Sequence, residues 1–167
     1  HDLQALAQQC VRGADDGAAQ DVDVVHHAAD EHARLLGAEK SQGQALELGD
    51  PGLQSDAWLL RSHLAERRSD DVAALQSGMQ AAWLAIDATD DRRQADTAIH
   101  VAFLHASNAG QPDEARRWSR MAHAAASRIG NPDDLAVDLE QLDGVIAMSR
   151  GDYPPAREAF VRALTGV

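Results

Sequence analysis

Three stretches of this chain repeat one pattern about 41 residues apart: Gly151 with Ala156 and Ala163, Gly110 with Ala115 and Ala122, and Ser69 with Ala74 and Ala81. A single repeat of a few tens of residues cannot bury its apolar face alone, so a fixed period with small residues at helix contacts marks a stacked helical array. Such an array presents long surfaces, which favours a binding scaffold over a catalyst.

Start and stop signals set the helices within each period. Asn131 is expected to cap a helix running from Pro132 to Arg150, with Leu135, Leu139, Leu142 and Ile146 as its apolar stripe. Gly151 ends it, and Pro154 and Pro155 lie in the first turn of a helix whose inner face is Ala156, Ala159, Phe160 and Ala163. One period earlier, a helix over 91–109 carries Ile99, Ala102, Phe103 and Ala106, and a second opening at Pro112 carries Ala115, Trp118, Ala122, Ala125 and Ile129. A period before that, Asp50 and Pro51 open a helix with Trp58, Ser62 and Ala65 on one face and Leu60 and Leu64 beside it. Ser69, Asp70 and Asp71 then turn the chain into a helix with Leu75, Met79, Ala82 and Ile86, and Trp83 covers a seam. The spacing therefore predicts three helix pairs, over 50–90, 91–131 and 132–167. Residues 1–49 are expected to form N-terminal helices with a degenerate repeat, including a short helix from Leu3 to Val11 and a loop from Gly13 to Gly17. No run alternates in the manner of a strand.

Composition agrees with close-packed helices. Only 4% of the 167 residues are aromatic, so the core must close through alanine, leucine and valine. The net charge of −12 repels phosphate backbones and anionic lipid, and Lys40 is the single lysine, so neither nucleic acid nor a membrane surface is an expected partner. Cys10 is the only cysteine, which excludes an intrachain disulfide and any multi-cysteine metal site. No stretch approaches the ~20 apolar residues that span a bilayer and no export signal opens the sequence, so a cytoplasmic location is expected. The start at His1 suggests a piece of a longer protein.

The stretch Leu142-Asp143-Gly144, followed by Gly151-Asp152-Tyr153, Ala156, Phe160, Ala163 and Leu164, resembles the tetratricopeptide repeat. In that frame Gly144 allows close helix approach, Tyr153 packs on the turn, and Ser62 is the small residue of its own unit. Phe103 stands at a position where a small residue is expected, and Ser119 and Gly78 stand where an aromatic is expected. The period also exceeds the usual one of about 34 residues. The resemblance implies an all-α fold, a right-handed superhelical array of antiparallel helix pairs, with the first helix of each pair lining a concave groove. In that frame the groove would present Asp56, Leu59, His63 and Arg67, then Thr97, His100, Leu104 and Asn108, then Gln141, Val145 and Ser149, with partner binding depending on Leu59, His100 and Leu104. The elongated repeats and the run Arg-Trp-Ser-Arg-Met-Ala from Arg117 to Ala122 also look like the repeat regions that follow the kinase domain in bacterial, myxobacterial-type serine/threonine kinases. This implies a protein or peptide partner in a signalling context, without cofactor. The kinase's own phosphate loop, strand lysine and His-Arg-Asp and Asp-Phe-Gly elements are not in this sequence.

Other chemistry has weaker signals. His26, His27, Asp30, Glu31 and His32 cluster, with Asp23 and His27, His26 and Asp30, and His27 and Glu31 each four apart, but no His-Glu-x-x-His motif is present. Exposed ion pairs are the expected role of that cluster, and no metal site is assigned there. No Gly-x-Ser-x-Gly or Cys–His constellation suggests nucleophilic catalysis, so no catalytic residue is expected. The alternative to a scaffold is a ligand- or metal-sensing helical-repeat domain of a transcription regulator.

Overall fold

The computed structural model describes residues 49–165, together with Gly37, Lys40, Gly43 and Glu47. The chain divides into two compact units, His1–Gly37 and Ala38–Val167, and the helices named below belong to the second. The expected helix from Leu3 to Val11, the loop from Gly13 to Gly17, Cys10 and the histidine cluster at 26–32 lie outside the described residues.

Six helices with defined bounds follow one another among the described residues: α1 Pro51–Arg67, α2 Asp71–Asp87, α3 Asp91–Ser107, α4 Pro112–Arg128, α5 Asp133–Ser149 and α6 Tyr153–Thr165. No strand occurs among the described residues. The Asp50 carboxylate accepts from the N–H groups of Gly52 and Leu53 at 2.8 and 3.1 Å, and Asp70 and Asp90 cap α2 and α3 in the same way. The ends recur too. Asp70 N–H donates to the Ala65 carbonyl, Asn131 N–H to Ala126 and Asp152 N–H to Ala147, closing each helix through a residue of positive φ. Gly130 and Gly151 adopt that backbone freely, whereas Ser69 and Thr89 hold φ of 58° and 52° with a side chain attached. Asn131 does not cap α5 as expected. Its φ is 52°, its N–H closes α4, and Pro132 precedes the helix with no side-chain cap.

The helices pack as the pairs α1–α2, α3–α4 and α5–α6, and each pair meets the next through α2–α3 and α4–α5. The first helices also approach one another, α1 on α3 and α3 on α5, whereas no comparable backbone approach joins α2 to α4 or α4 to α6. Trp83 on α2 crosses that wider gap, its ring centred 5.7 Å from Trp118 on α4, and so covers a seam. A polar clamp recurs where the start of one helix lies beside the end of the next. Asp71 accepts from Asn108, Asp91 from Arg128 and Asp113 from Arg150, each 37 residues apart. The acid sits at the positive end of one helix dipole and the donor at the negative end of its antiparallel neighbour.

The core is built on alanine, with Ala95, Ala102, Ala115, Ala122 and Ala126 wholly buried around Val101, Trp118, Leu135, Leu139 and Leu142. Small side chains let the helices approach closely, which is how a chain with few aromatics fills its interior. Ile86 and Ile129, expected in the inner stripes, remain exposed, as does Leu60. Phe160 packs directly on a glycine: a Cβ on Gly144 would lie 2.7 Å from its ring.

Candidate functional site

The first helices α1, α3 and α5, with α6, enclose a groove of about 570 Å³. Two of them contribute the same arc of helix surface. Asp96, Ile99, His100 and Phe103 line it from α3, and Asp138, Gln141, Leu142 and Val145 from α5. Each set has the spacing i, i+3, i+4, i+7, which is one face of a helix. Leu59 and His63 complete the wall on α1, and Phe160, Ala163 and Leu164 on α6. The floor is apolar and partly open, with Phe103 38% and Leu164 87% exposed.

Of the residues expected in the groove, Leu59, His63, His100, Gln141 and Val145 line it and the others do not. Thr97 and Leu104 are core residues, each 1% exposed, so neither presents its side chain to the groove. Asp56 is held by Arg93 at 2.9 Å and Asn108 donates to Asp71, so both serve helix contacts. Arg67 lies exposed in the last turn of α1, and the Ser149 hydroxyl donates to the Ile146 carbonyl. For Thr97, Leu104 and Asn108 the cause is helix register. The first helices begin at Pro51, Asp91 and Asp133, so their spacing is 40 and then 42 rather than a constant 41. A slip of one residue turns a side chain by about 100° around the helix. Aligned from the helix starts, Ser62, Ala102 and Gly144 are equivalent, and all three are buried. Ala102, not Phe103, is thus the small residue of its pair, and Phe103 belongs to the groove. The signal that would have found Ile99 and Phe103 was their own spacing of four beside Asp96.

Polar groups mark two edges of the groove. At one, Asp96 and Asp138 stand on neighbouring helices; burial raises the Asp96 carboxyl above its ordinary range, although Arg92 donates to it at 3.0 Å. At the other, the rings of His63 and His100 stand 4.1 Å apart. The Ser62 hydroxyl donates to the Ala74 carbonyl at 2.6 Å and, its proton being committed, accepts from His100 Nε2 at 2.7 Å. Burial, and then the nearness of His63, push the His100 ring down to about 3, so it stands neutral. Gly78 gives this pair its room, since a Cβ there would lie 3.1 Å from Ser62 Oγ and 3.5 Å from His100 Cδ2.

A second hollow, of about 600 Å³, opens among α4, α5 and α6 with Arg116, Arg120, Arg150 and Arg162 on its wall. Acids answer two of these charges, Asp113 beside Arg150 and Glu140 beside Arg162. In the same hollow His123 meets Asp143 at 3.1 Å, and Asp143 also accepts from Ser119 at 3.0 Å. The bond to Asp143 raises the His123 ring above its ordinary range despite burial. Burial opposes ionisation of Asp143, but its bonds from His123 and Ser119 win and hold it below the usual carboxylate range.

No described helix is long and apolar enough to cross a membrane. Searches of family models, of curated proteins and of solved structures found no match to this chain.

Proposed function

We propose that this chain is a non-catalytic protein-interaction scaffold, a tetratricopeptide-like right-handed array of helix pairs that holds a peptide or protein segment on its concave face. The observation that carries the reading is the pair of matching arcs on α3 and α5, which leave Ile99, Phe103 and Val145 facing one partly open groove. Approach of the first helices to one another, with no such approach between the second ones, supports a concave side lined by α1, α3 and α5. Resemblance of the Arg117–Ala122 run to kinase-linked repeats supports a place in the regulatory region of a bacterial signalling protein.

The lining also selects the partner's chemistry. Apolar side chains form the floor, Asp96 and Asp138 stand at its edge, and no lysine or arginine lines it. A segment with leucine or phenylalanine anchors flanked by lysine or arginine complements that surface, and an acidic segment does not. Peptide-display selection against the full chain tests this. Enriched peptides should pair apolar anchors with basic flanks and lose binding at least tenfold to Phe103→Asp, whose side chain is already partly exposed. Peptides that bind that variant as well as the parent would overturn the assignment.

A further inference from the structure

We infer that His63, Glu66 and His100 form a binding site for a zinc-class divalent transition metal at the α1 edge of the groove. This goes beyond the peptide-binding reading and does not depend on it. His63 and Glu66 are three residues apart and share one face of α1, and α3 brings His100 against them. One donor atom from each of the three lies within 4.8 Å of the others, and His63 Nδ1 stands 3.9 Å from Glu66 Oε2. Zinc bonds of ~2.0–2.1 Å in tetrahedral geometry set donor atoms about 3.4 Å apart. The remaining closure falls to His63 and Glu66, whose side chains are 50% and 28% exposed.

His100 is the fixed member. Because the Ser62 proton is spent on the Ala74 carbonyl, His100 Nε2 must carry the hydrogen of their shared bond, which leaves Nδ1 with its lone pair. The Cδ2 edge of the ring faces Gly78, so the Nδ1 edge is turned away from α2. Ser62 thereby does what the outer partners of metal-bound histidines do, setting both tautomer and ring orientation. Two imidazoles and one carboxylate suit zinc, cobalt or nickel rather than magnesium or calcium, which take oxygen ligands. Three protein ligands leave a fourth position open to water or to a donor from a bound segment.

Calorimetric titration of the full chain with zinc chloride, paired with visible absorption of the cobalt(II) form, tests the site. The expected result is a site of micromolar or tighter affinity with the intense visible bands of tetrahedral cobalt, weakened at least tenfold in His63→Ala and in Glu66→Gln. Ser62→Ala should weaken it by about 10- to 100-fold through loss of the ring's orientation. Circular dichroism of each variant checks that it remains folded, and the exposed position of His63 and the partly exposed one of Glu66 make this the expected outcome for those two. Absence of micromolar zinc binding by the parent would overturn the site. Parent-like affinity and cobalt spectrum in both His63→Ala and Glu66→Gln would overturn it equally, by placing the metal on other histidines.

Discussion

Gly144 on α5 and Phe160 on α6 occupy a single contact: the Phe160 ring fills the space that a side chain on Gly144 would need, with Cε1 at 2.7 Å and Cδ1 and Cζ at 2.9 Å from a built Cβ. The glycine is therefore retained against its own helix propensity, which disfavours it by about 1 kcal/mol relative to alanine.

Gly144→Ala should destabilise the chain. Overpacking of this kind costs about 1–3 kcal/mol, which exceeds the propensity gain, and Phe160→Leu added to it should recover part of the loss. Gly78→Ala is the milder case, because a Cβ there would stand 3.1 Å from Ser62 Oγ and 3.2 Å from Val101, closer than ordinary contact but without the overlap met at Gly144. In urea denaturation Gly144→Ala should show the larger shift to lower midpoint. Equal midpoints would remove the Phe160 contact from the account.

Thr89 carries a branched side chain at φ 52°, in a turn whose counterpart one period later is Gly130 at φ 84°. A left-handed backbone costs a residue with a side chain roughly 1–2 kcal/mol, and glycine's extra freedom in the unfolded chain takes back about 0.4–1 kcal/mol. Thr89→Gly should therefore raise stability by up to about 1 kcal/mol, read as a higher thermal midpoint. A lower midpoint would show that the Thr89 side chain contributes more than its backbone costs.

Ala115 is wholly buried between helices, and Asp87 is exposed at the end of α2. Ala115→Leu should cost on the order of 1–3 kcal/mol by forcing α3 and α4 apart, whereas Asp87→Leu should change little. Denaturant unfolding of the two variants gives the comparison directly.

The His123–Asp143 pair predicts a pH dependence of defined sign. The His123 ring is held above its ordinary value, about 6.5, so its contribution to stability is fully present below that pH and is lost as pH rises through the raised value. Asp143 is held below its ordinary range, so its contribution is present above that range and disappears as pH falls through the lowered value. Thermal melts of the parent should weaken across the alkaline side of about pH 6.5, and His123→Gln should flatten that slope. Both groups are about half exposed, so added salt should reduce the difference.

Much of the helical plan is legible in the sequence because capping and breaking act locally. Asp50, Asp70, Pro112 and Gly151 can be read without knowing what lies across the core. The groove is less legible, because it depends on angular position around each helix and therefore on the count of residues between helices. A period read as constant placed Thr97 and Leu104 on the surface, while the real spacings of 40 and 42 turn them inward and bring Ile99 and Phe103 out. The His63–Glu66–His100 cluster was hidden for a related reason. Its members come from two helices, 34 residues separate Glu66 from His100, and no local motif announces a contact made by packing.

The central claim is that the face lined by α1, α3 and α5 receives a partner segment. The most direct measurement is a methyl-resolved magnetic resonance titration of the full chain with a peptide bearing two leucine or phenylalanine anchors flanked by arginines, taken from the display selection. The account predicts saturable shifts at the methyl groups of Leu59, Ile99, Val145 and Leu164, with Met121 and Ile129 unmoved. Shifts confined to Met121 and Ile129, or none at saturating peptide, would contradict it.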